Sequence, residues 1–306
     1  MKKQSILFIT REIVPFYYGG IGSQFKAMAN LLVSEGYEVG FITRRHELFE
    51  EATFHDHYPG CNHYFVDESF FENVTEFSYS GGLVSHFNLC YAHGVEKILS
   101  DIHRKHPPEY IVSADFGAES FICLLKKNEG KYRESRFVLF IEGSTFDALK
   151  TYESGVDKKL ASELDDPQNI LTCSMENACI YMSDYVVSPT NITWKQTCER
   201  LGCSVGHAII PNLLDTDYLT SAGLKSKGQE TRMLLFIGRL DHHKGADLLL
   251  QAFIQRYEKQ KKEDIPTLRF IGRDAFCKKY GMTFLEYWRD KIPGSLEKHI
   301  DFTGQV

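Results

Sequence analysis

Leu234-Leu-Phe-Ile-Gly238-Arg239-Leu-Asp-His-His-Lys244-Gly245 puts two cations and two glycines where a strand gives way to a helix. The apolar run Met233 to Ile237 predicts a buried strand. Asp247 to Phe253, with Leu248, Leu249, Leu250, Ala252 and Phe253, predicts a helix packed on it. The turn between them falls at the carboxyl edge of a parallel sheet, where open α/β sheets take ligands and a helix amino terminus offers unpaired N–H groups to an anion. Arg239 and Lys244 add full charges there, one as a planar fork and the other as a point charge. A phosphate or diphosphate is the natural guest.

A second turn of this kind lies near the amino end. Ser5 to Thr10 predicts a first strand, and Gln24 to Ser34, with Phe25, Met28, Ala29, Leu31 and Leu32 on one stripe, predicts the helix after it, closed by Gly36. Between them runs Pro15-Phe-Tyr-Tyr-Gly19-Gly20-Ile21-Gly22-Ser23. Its three glycines let backbone approach a ligand closely or simply make a tight connection, and Ser23 is expected to cap the helix.

From these two turns the pattern extends along the chain. Strand-like runs at 5–10, 37–43, 63–67, 109–113, 136–141, 184–188 and 207–210 alternate with helical stretches near 23–35, 86–105, 117–129, 168–182 and 190–201. Such alternation predicts a parallel sheet with helices on both faces. Residues 213–231, with Ser221, Gly223, Ser226 and Gly228, have the composition of a linker. A new series follows, with strand 233–237, helix 244–260, strand 267–271, a helix near 281–291 and a short strand about His299 to Phe302. The expected organisation is a complete Rossmann-like domain over 1–212, a linker over 213–231 and an incomplete Rossmann-like domain over 232–306.

The 306 residues, 43% apolar and 25% charged, describe a soluble globular chain with ample core material. No apolar run reaches the roughly 20 residues of a membrane span, and the start Met-Lys-Lys-Gln leads into a strand too short for a signal-peptide core. A cytoplasmic address is expected, with the sequons at Asn73 and Asn191 accidental. The eight cysteines contain no Cys-x2-Cys pair and read as reduced, largely buried thiols. His55, His57, Cys61 and His63 crowd one polar loop, but their spacing fits no common zinc pattern. The net charge of −6 is uneven: residues 223–306 carry 16 Lys or Arg against 11 Asp or Glu, so the later part is the better host for an anion. No Lys/Arg stripe with interleaved aromatics points to nucleic acid.

Taken together the motifs resemble the retaining family-4 glycosyltransferases, whose GT-B fold sets two Rossmann-like domains face to face. The resemblance rests on Pro15 to Gly22 with Gly36-Tyr-Glu-Val39, on Val187-Ser-Pro-Thr-Asn191, on Ile210-Pro211-Asn212 to Asp215, and on Gly238-Arg239-Leu240 to Lys244-Gly245. It implies transfer of a sugar from a nucleotide-sugar donor with retention, in polysaccharide or glycoconjugate biosynthesis. It also implies Arg239 and Lys244 as catalytic groups on the leaving diphosphate. Gly19, Gly20, Gly22 and Gly238 would join them in holding the donor phosphates. Because cations and a helix dipole can neutralise the diphosphate, no metal and no cofactor are expected. The acceptor would be a saccharide, lipid-linked or small molecule, with peripheral membrane contact allowed.

Val112-Ser-Ala-Asp115-Phe-Gly-Ala-Glu119 looks like a Pro-Asp-aromatic-Gly-x-Glu-Gly stretch of some family members, with Ala114 in place of the Pro and Ser120 in place of the last Gly. It places Asp115 and Glu119 at the cleft rim, as acceptor-side groups or as helix N-terminal charges. Phe140-Ile-Glu142-Gly143 resembles a strand end where relatives often carry His; here Glu142 stands, and a carboxylate could bind an acceptor hydroxyl. Asn212 reads as a hinge residue. The family's Glu-x7-Glu element and final helix do not occur in the sequence, so the chain reads as a member cut in mid-domain. Two other readings stand beside the transferase. One is a truncated or split-subunit binding partner without activity alone, and the other a sugar-nucleotide epimerase of GT-B fold.

Overall fold

The computed structural model describes residues 4–17, 19–66, 86–153, 166–202, 205–213, 232–259, 265–277 and 281–304. Most of the expected linker, Leu214 to Thr231, and Asp215 with it, lies outside them. The chain divides into two units, residues 1–147 with 165–222 and residues 148–164 with 223–306.

In the first unit seven parallel strands form one sheet. In chain order the elements are β1 (Ser5–Ile9), α1 (Gly20–Ser34), β2 (Glu38–Arg44), α2 (Glu51–His57), β3 (Asn62–Val66), α3 (Phe87–Lys105), β4 (Tyr110–Ala114), α4 (Phe121–Asn128) and β5 (Arg136–Phe140). They continue with α5 (Thr145–Glu153), whose residues from 148 on are grouped with the second unit, then α6 (Pro167–Met182), β6 (Tyr185–Ser188), α7 (Asn191–Leu201) and β7 (His207–Ile209). The spatial order is β3-β2-β1-β4-β5-β6-β7, so the winding reverses between β1 and β4. Alternate side chains of each strand feed two cores. Leu7, Ile9, Ile42, Ile111 and Leu139 pack under α3, α4 and α6, whereas Ile6, Phe8, Val39, Phe41 and Val112 pack under α1 and α2.

Helix ends follow local chemistry. Asp166 caps α6 by accepting from Gln168 N, with Pro167 at the first helical position, and Thr190 caps α7 by accepting from Thr193 N. Helix α1 departs from expectation: it begins at Gly20, its N-cap Gly19 gives no side-chain bond, and Ser23 Oγ donates to Gly19 O from inside the first turn. Two of the three glycines are therefore helical.

The second unit holds β8 (Met233–Ile237), α8 (Ala246–Tyr257), β9 (Thr267–Ile271), a short ribbon of β10 (Phe276–Cys277) and β11 (Met282–Thr283), α9 (Phe284–Trp288) and β12 (Ile300–Gly304). Strands β12, β9 and β8 form a parallel sheet in that order. Phe236, Leu250, Phe253, Phe270, Phe284 and Trp288 make its core. The expected helix over 281–291 is instead a strand pair followed by a single turn or so, started by a Thr283/Glu286 capping box. The expectation of a buried β8 is corrected too: Leu235 is 51% and Ile237 73% exposed. An edge strand pairs on one side only, and among the described residues α8 and the core cover a single face of it. The apolar run therefore marks a strand built for a covered sheet without itself ensuring the cover.

Candidate active site

At the carboxyl ends of β1, β2 and β4, where the winding reverses, lies a cavity of about 390 Å³. That is the edge at which open α/β sheets take ligands, and the volume falls within the roughly 300–1,000 Å³ of small-molecule pockets. Thr10, Arg11 and Glu12 after β1, Arg44 to Glu47 from the end of β2, and Ala114, Phe116 and Glu119 after β4 line it, together with Tyr17, Ile21 and Phe87. Tyr17, Phe87 and Phe116 are 40–50% exposed, so three part-exposed aromatic rings border the space. The charged lining is balanced, with Arg11, Arg44 and Arg45 against Glu12, Glu47 and Glu119.

Arg11 is locked in place. Its Nε donates to Glu119 Oε1 at 2.7 Å and its Nη1 to Asn88 Oδ1 at 2.8 Å, while the guanidinium lies over Phe87 and Tyr91. Glu119 was expected on the rim. It lines the cavity but is itself buried, because its carboxylate is the counter-ion of Arg11 and also accepts from Arg11 N.

Asp115 is corrected more fully. It is 0% exposed, and its Oδ1 accepts from Glu142 N at 2.9 Å and Gly143 N at 3.3 Å, so it ties the loop after β4 to the loop after β5. A second buried carboxylate, Glu176 of α6, makes a parallel tie. It accepts from Gly117 N at 2.8 Å, Thr145 N at 2.8 Å and Thr145 Oγ1 at 2.6 Å. Burial, with Asp115 nearby, raises Glu176 to about 7 against the pull of its hydrogen bonds, and burial with the Asp115 charge raises Glu142 to about 7 as well. Glu142 is thus placed by backbone held from below, and the amide side chains of Gln24 and Asn212 reach its carboxyl. Asn212 has a contact at the site beyond the hinge role expected of it.

The glycine turn serves the chain itself as much as any ligand. Glu12 Oε2 accepts from Gly22 N at 2.9 Å; a Cβ on Gly19 would overlap that carboxylate, and one on Gly22 would crowd the Glu12 backbone. Gly19 and Gly22 are needed to seat Glu12, whereas Gly20 has open space where a side chain would stand. Of the three glycines expected to meet phosphate, Gly22 has its amide engaged, so an anion reaching this helix end meets the Glu12 carboxylate first.

In the second unit, Gly238 and Arg239 leave β8, and Asp241 organises the turn. The buried Asp241 carboxylate pairs with Arg239 Nε through Oδ2, and its Oδ1 accepts from Lys244 N at 2.9 Å, capping a short 3-10 turn over His242–Lys244. The helix proper starts at Ala246 after Gly245 in left-handed conformation, so Lys244 sits two residues before it, at the end of the 3-10 turn, and not at its first residue. Arg239 is 42% exposed on its side chain, and Lys244 is exposed. His242 Nδ1 pairs with Asp247 Oδ2 at 2.6 Å. Behind the turn, Gly272 approaches so closely that a Cβ would overlap the Gly238 carbonyl.

The expected His/Cys loop is instead the end of α2, with His55 and His57, and the start of β3, with His63, and of the four only Cys61 lies between them. Burial lowers His63 to about 4 and raises Cys61 to about 11, His63 packs on Phe49, Phe54 and Phe65, and His57 meets Lys26 Nζ at 2.7 Å. Among the described residues no group of three His, Cys, Asp or Glu could hold a metal ion, no helix is long and apolar enough to cross a membrane, and Cys61, Cys90, Cys123, Cys173, Cys179 and Cys198 are free thiols. Sequence reasoning missed Arg11, Glu12, Arg44, Arg45 and Glu176. The position of Arg11 and Glu12 directly after β1 was the signal for those two; Glu176, inside an amphipathic helix, gave none.

Solved structures share the fold. Starch synthase IV from Arabidopsis thaliana, bound to ADP and acarbose, matches with a TM-score of 0.61 at 13% identity over 99% of this chain and 74% of its own. UGT2 from Phytolacca americana, with UDP-2fluoro-glucose and pterostilbene, matches at 0.54 and 12% over 100% and 72%. HepE from Anabaena, with UDP-glucose, matches at 0.53 and 11% over 99% and 69%. At such identities the likeness is one of fold, and the fold is that of the GT-B glycosyltransferases. No curated protein matches the sequence. The family model of the starch synthase catalytic domain matches residues 5–194, most of the chain, and the chain belongs to that family. The motif resemblance to family 4 and this match agree at the level of GT-B glycosyltransferase.

Proposed function

We propose that the protein transfers a sugar, with retention of anomeric configuration, from a nucleotide-diphosphate donor to a neutral hydroxylated acceptor in polysaccharide or glycoconjugate synthesis. The observation that carries the reading is the cavity at the winding reversal of the first sheet, in a chain of the starch synthase family. Its three arginines and three glutamates cancel, which suits a polyhydroxylated guest better than an anionic one, and the part-exposed rings of Tyr17 and Phe116 suit the C–H faces of a sugar ring. Nucleotide sugars or ADP in the starch synthase and HepE structures support the donor class.

On the donor side Arg239 and Lys244 carry positive charge beside Gly238, with the Arg239 guanidinium held by Asp241 and the Lys244 backbone N–H bonded to the same carboxylate. They would stabilise the charge that grows on the leaving diphosphate, a contribution of order 10²–10³ in rate for a well-placed donor. Gly20, with the open space beside it, is the member of the first glycine turn best suited to approach by phosphate. Glu142 and Glu119 serve the acceptor side. The reaction would need no metal and no cofactor.

The test is transfer from UDP-glucose and ADP-glucose to maltose, with the anomer of the product read by NMR. Transfer giving the α-anomer, unchanged by EDTA, is expected. Arg239→Ala and Lys244→Ala should each cut turnover by about 10²–10³ while melting within about 2 °C of wild type. Full activity in both variants, or loss of activity with EDTA, would overturn the site assignment.

A further inference from the structure

A second cavity, of about 410 Å³, lies at the other edge of the first sheet. Ser5, Glu38 and Asn62, the first residues of β1, β2 and β3, border it with Asp101, Lys105 and His106 from the end of α3. Leu7, Gly40, Tyr64, Ile98 and Ile102 form its interior. Sugar transfer at the carboxyl edge makes no use of this space. A glycine opens it. Along β2 the side chains alternate between the two cores, with Val39 and Phe41 on one side and Ile42 on the other, so position 40 falls on the Ile42 side, under α3. A Cβ there would stand 3.2 Å from Leu7 Cδ1 and 3.4 Å from Tyr64 Cε2, so those two side chains bound a gap in the sheet face. Glycine inside a strand weakens it and marks a place that another group approaches closely. Val95 and Leu99 of α3 are 0% exposed, whereas Ile98 and Ile102 beside the gap are half-buried.

The rim carries one charge of each sign without an ion-pair partner among the described residues. The Glu38 carboxylate accepts only a long hydrogen bond from Asn62 Nδ2, at 3.4 Å, and Lys105 stands in no ion pair. Asp101 is held by Arg104 at 2.7 Å, and His103 faces Glu134. The carboxyl end of α3 brings partial negative charge to the same rim. Burial and the Glu38 charge raise the Tyr64 hydroxyl above its ordinary pKa, so it stays a neutral donor. We propose that this cavity binds a free α-amino acid with an apolar side chain of the size of leucine or phenylalanine. The side chain fills the gap at Gly40 between Tyr64 and Ile102, the carboxylate meets Lys105, and the ammonium meets Glu38 at the carboxyl end of α3. Apolar walls reward the body of the molecule, and the pair of opposite charges selects a zwitterion over a simple amine or a simple carboxylate. The site shares no residue with the cavity at the carboxyl edge, so it stands or falls apart from the transferase reading.

The experiment titrates phenylalanine, 2-phenylethylamine and 3-phenylpropionate against the full chain by ligand-observed NMR, with thermal unfolding as the check that each variant folds. Phenylalanine should bind with a Kd on the order of 1 mM or tighter, about two- to fivefold better than either molecule that lacks one charge. Lys105→Gln should weaken phenylalanine and 3-phenylpropionate by about that factor and leave 2-phenylethylamine unchanged. Glu38→Gln should weaken phenylalanine and 2-phenylethylamine and leave 3-phenylpropionate unchanged. Gly40→Val fills the gap from the sheet and Ile102→Phe from the helix, and either should weaken phenylalanine at least about tenfold by denying its ring a buried seat. Glu38 and Lys105 are exposed, so their variants decide the matter even where a filling variant unfolds. No binding of phenylalanine up to about 10 mM, equal affinity for the three molecules, indifference of all three to both rim variants, or wild-type affinity in a folded filling variant overturns the proposal. So does displacement of phenylalanine by maltose, which would place it in the cavity at the carboxyl edge instead.

Discussion

Replacing Glu176 with Gln tests whether buried carboxylates hold the active edge together. On unfolding, the Glu176 carboxyl meets water and ionises near its ordinary 4.5, whereas in the fold it keeps its proton to about 7. Between those values the folded chain binds one more proton than the unfolded chain. Stability therefore falls as pH rises, by about 1.4 kcal/mol per unit and about 3 kcal/mol in all. The contribution is whole below the unfolded value and gone above the folded one. Glu176→Gln cannot titrate, so its stability should lose one proton's worth less per pH unit across that window. Its amide nitrogen would also face the Thr145 N–H, donor against donor, for a further cost of about 1–3 kcal/mol at every pH. Variant and wild type should thus differ most in mild acid and converge toward neutrality. Urea unfolding at about pH 5, 6 and 7.5 reads this, with Trp288 of the second unit changed to Phe so that the buried Trp194 reports on the first. Parallel pH slopes for the two proteins would mean that Glu176 is ionised in the fold and that the reasoning fails.

Two further outcomes follow from the same edge. Glu119→Ala strands the Arg11 guanidinium, and losing one partner of a buried pair costs about 3–5 kcal/mol, so the melting temperature of the first unit should drop by about 10 °C; a drop under about 2 °C would show that Arg11 finds water instead. Gly20→Ala and Gly22→Ala should part company in thermal unfolding. The first, with open space around it at a helix start, should gain up to about 1 kcal/mol, and the second, crowding Glu12, should lose about 1–3 kcal/mol; equal effects would deny Glu12 its seat.

What the sequence revealed was periodic. The apolar runs of β1, β2, β4 and β5 and the stripes of α1 and α3 read correctly because local side-chain period and burial agree. The turns at Gly19–Gly22 and Gly238–Lys244 read correctly as strand-to-helix passages because glycines and polar residues interrupt that period. What stayed hidden depends on partners distant in the chain. Asp115 looked like a rim carboxylate until its partners 27 and 28 residues on were placed, and Glu176 serves amides 59 and 31 residues away. Glu12 filling the first turn of α1 needed only ten residues of separation, but it required knowing that Gly22 is helical. The exposure of β8 was misjudged because a run of apolar residues reports what a strand is made for, and the neighbours decide what it meets.

The all-parallel sheet of the first unit has a consequence for how such a chain can change. Every strand from β1 to β7 delivers its following loop to the same side, and both cores lie away from that side, under helices that the loops merely connect. A residue exchanged at Arg44–Glu47 or Phe116 alters what the cavity accepts without touching Phe8, Ile9, Ile42 or Leu139. The scaffold and the recognition surface can thus drift at separate rates: the loops are free to trade one guest for another, provided that the two carboxylate ties beneath them are kept.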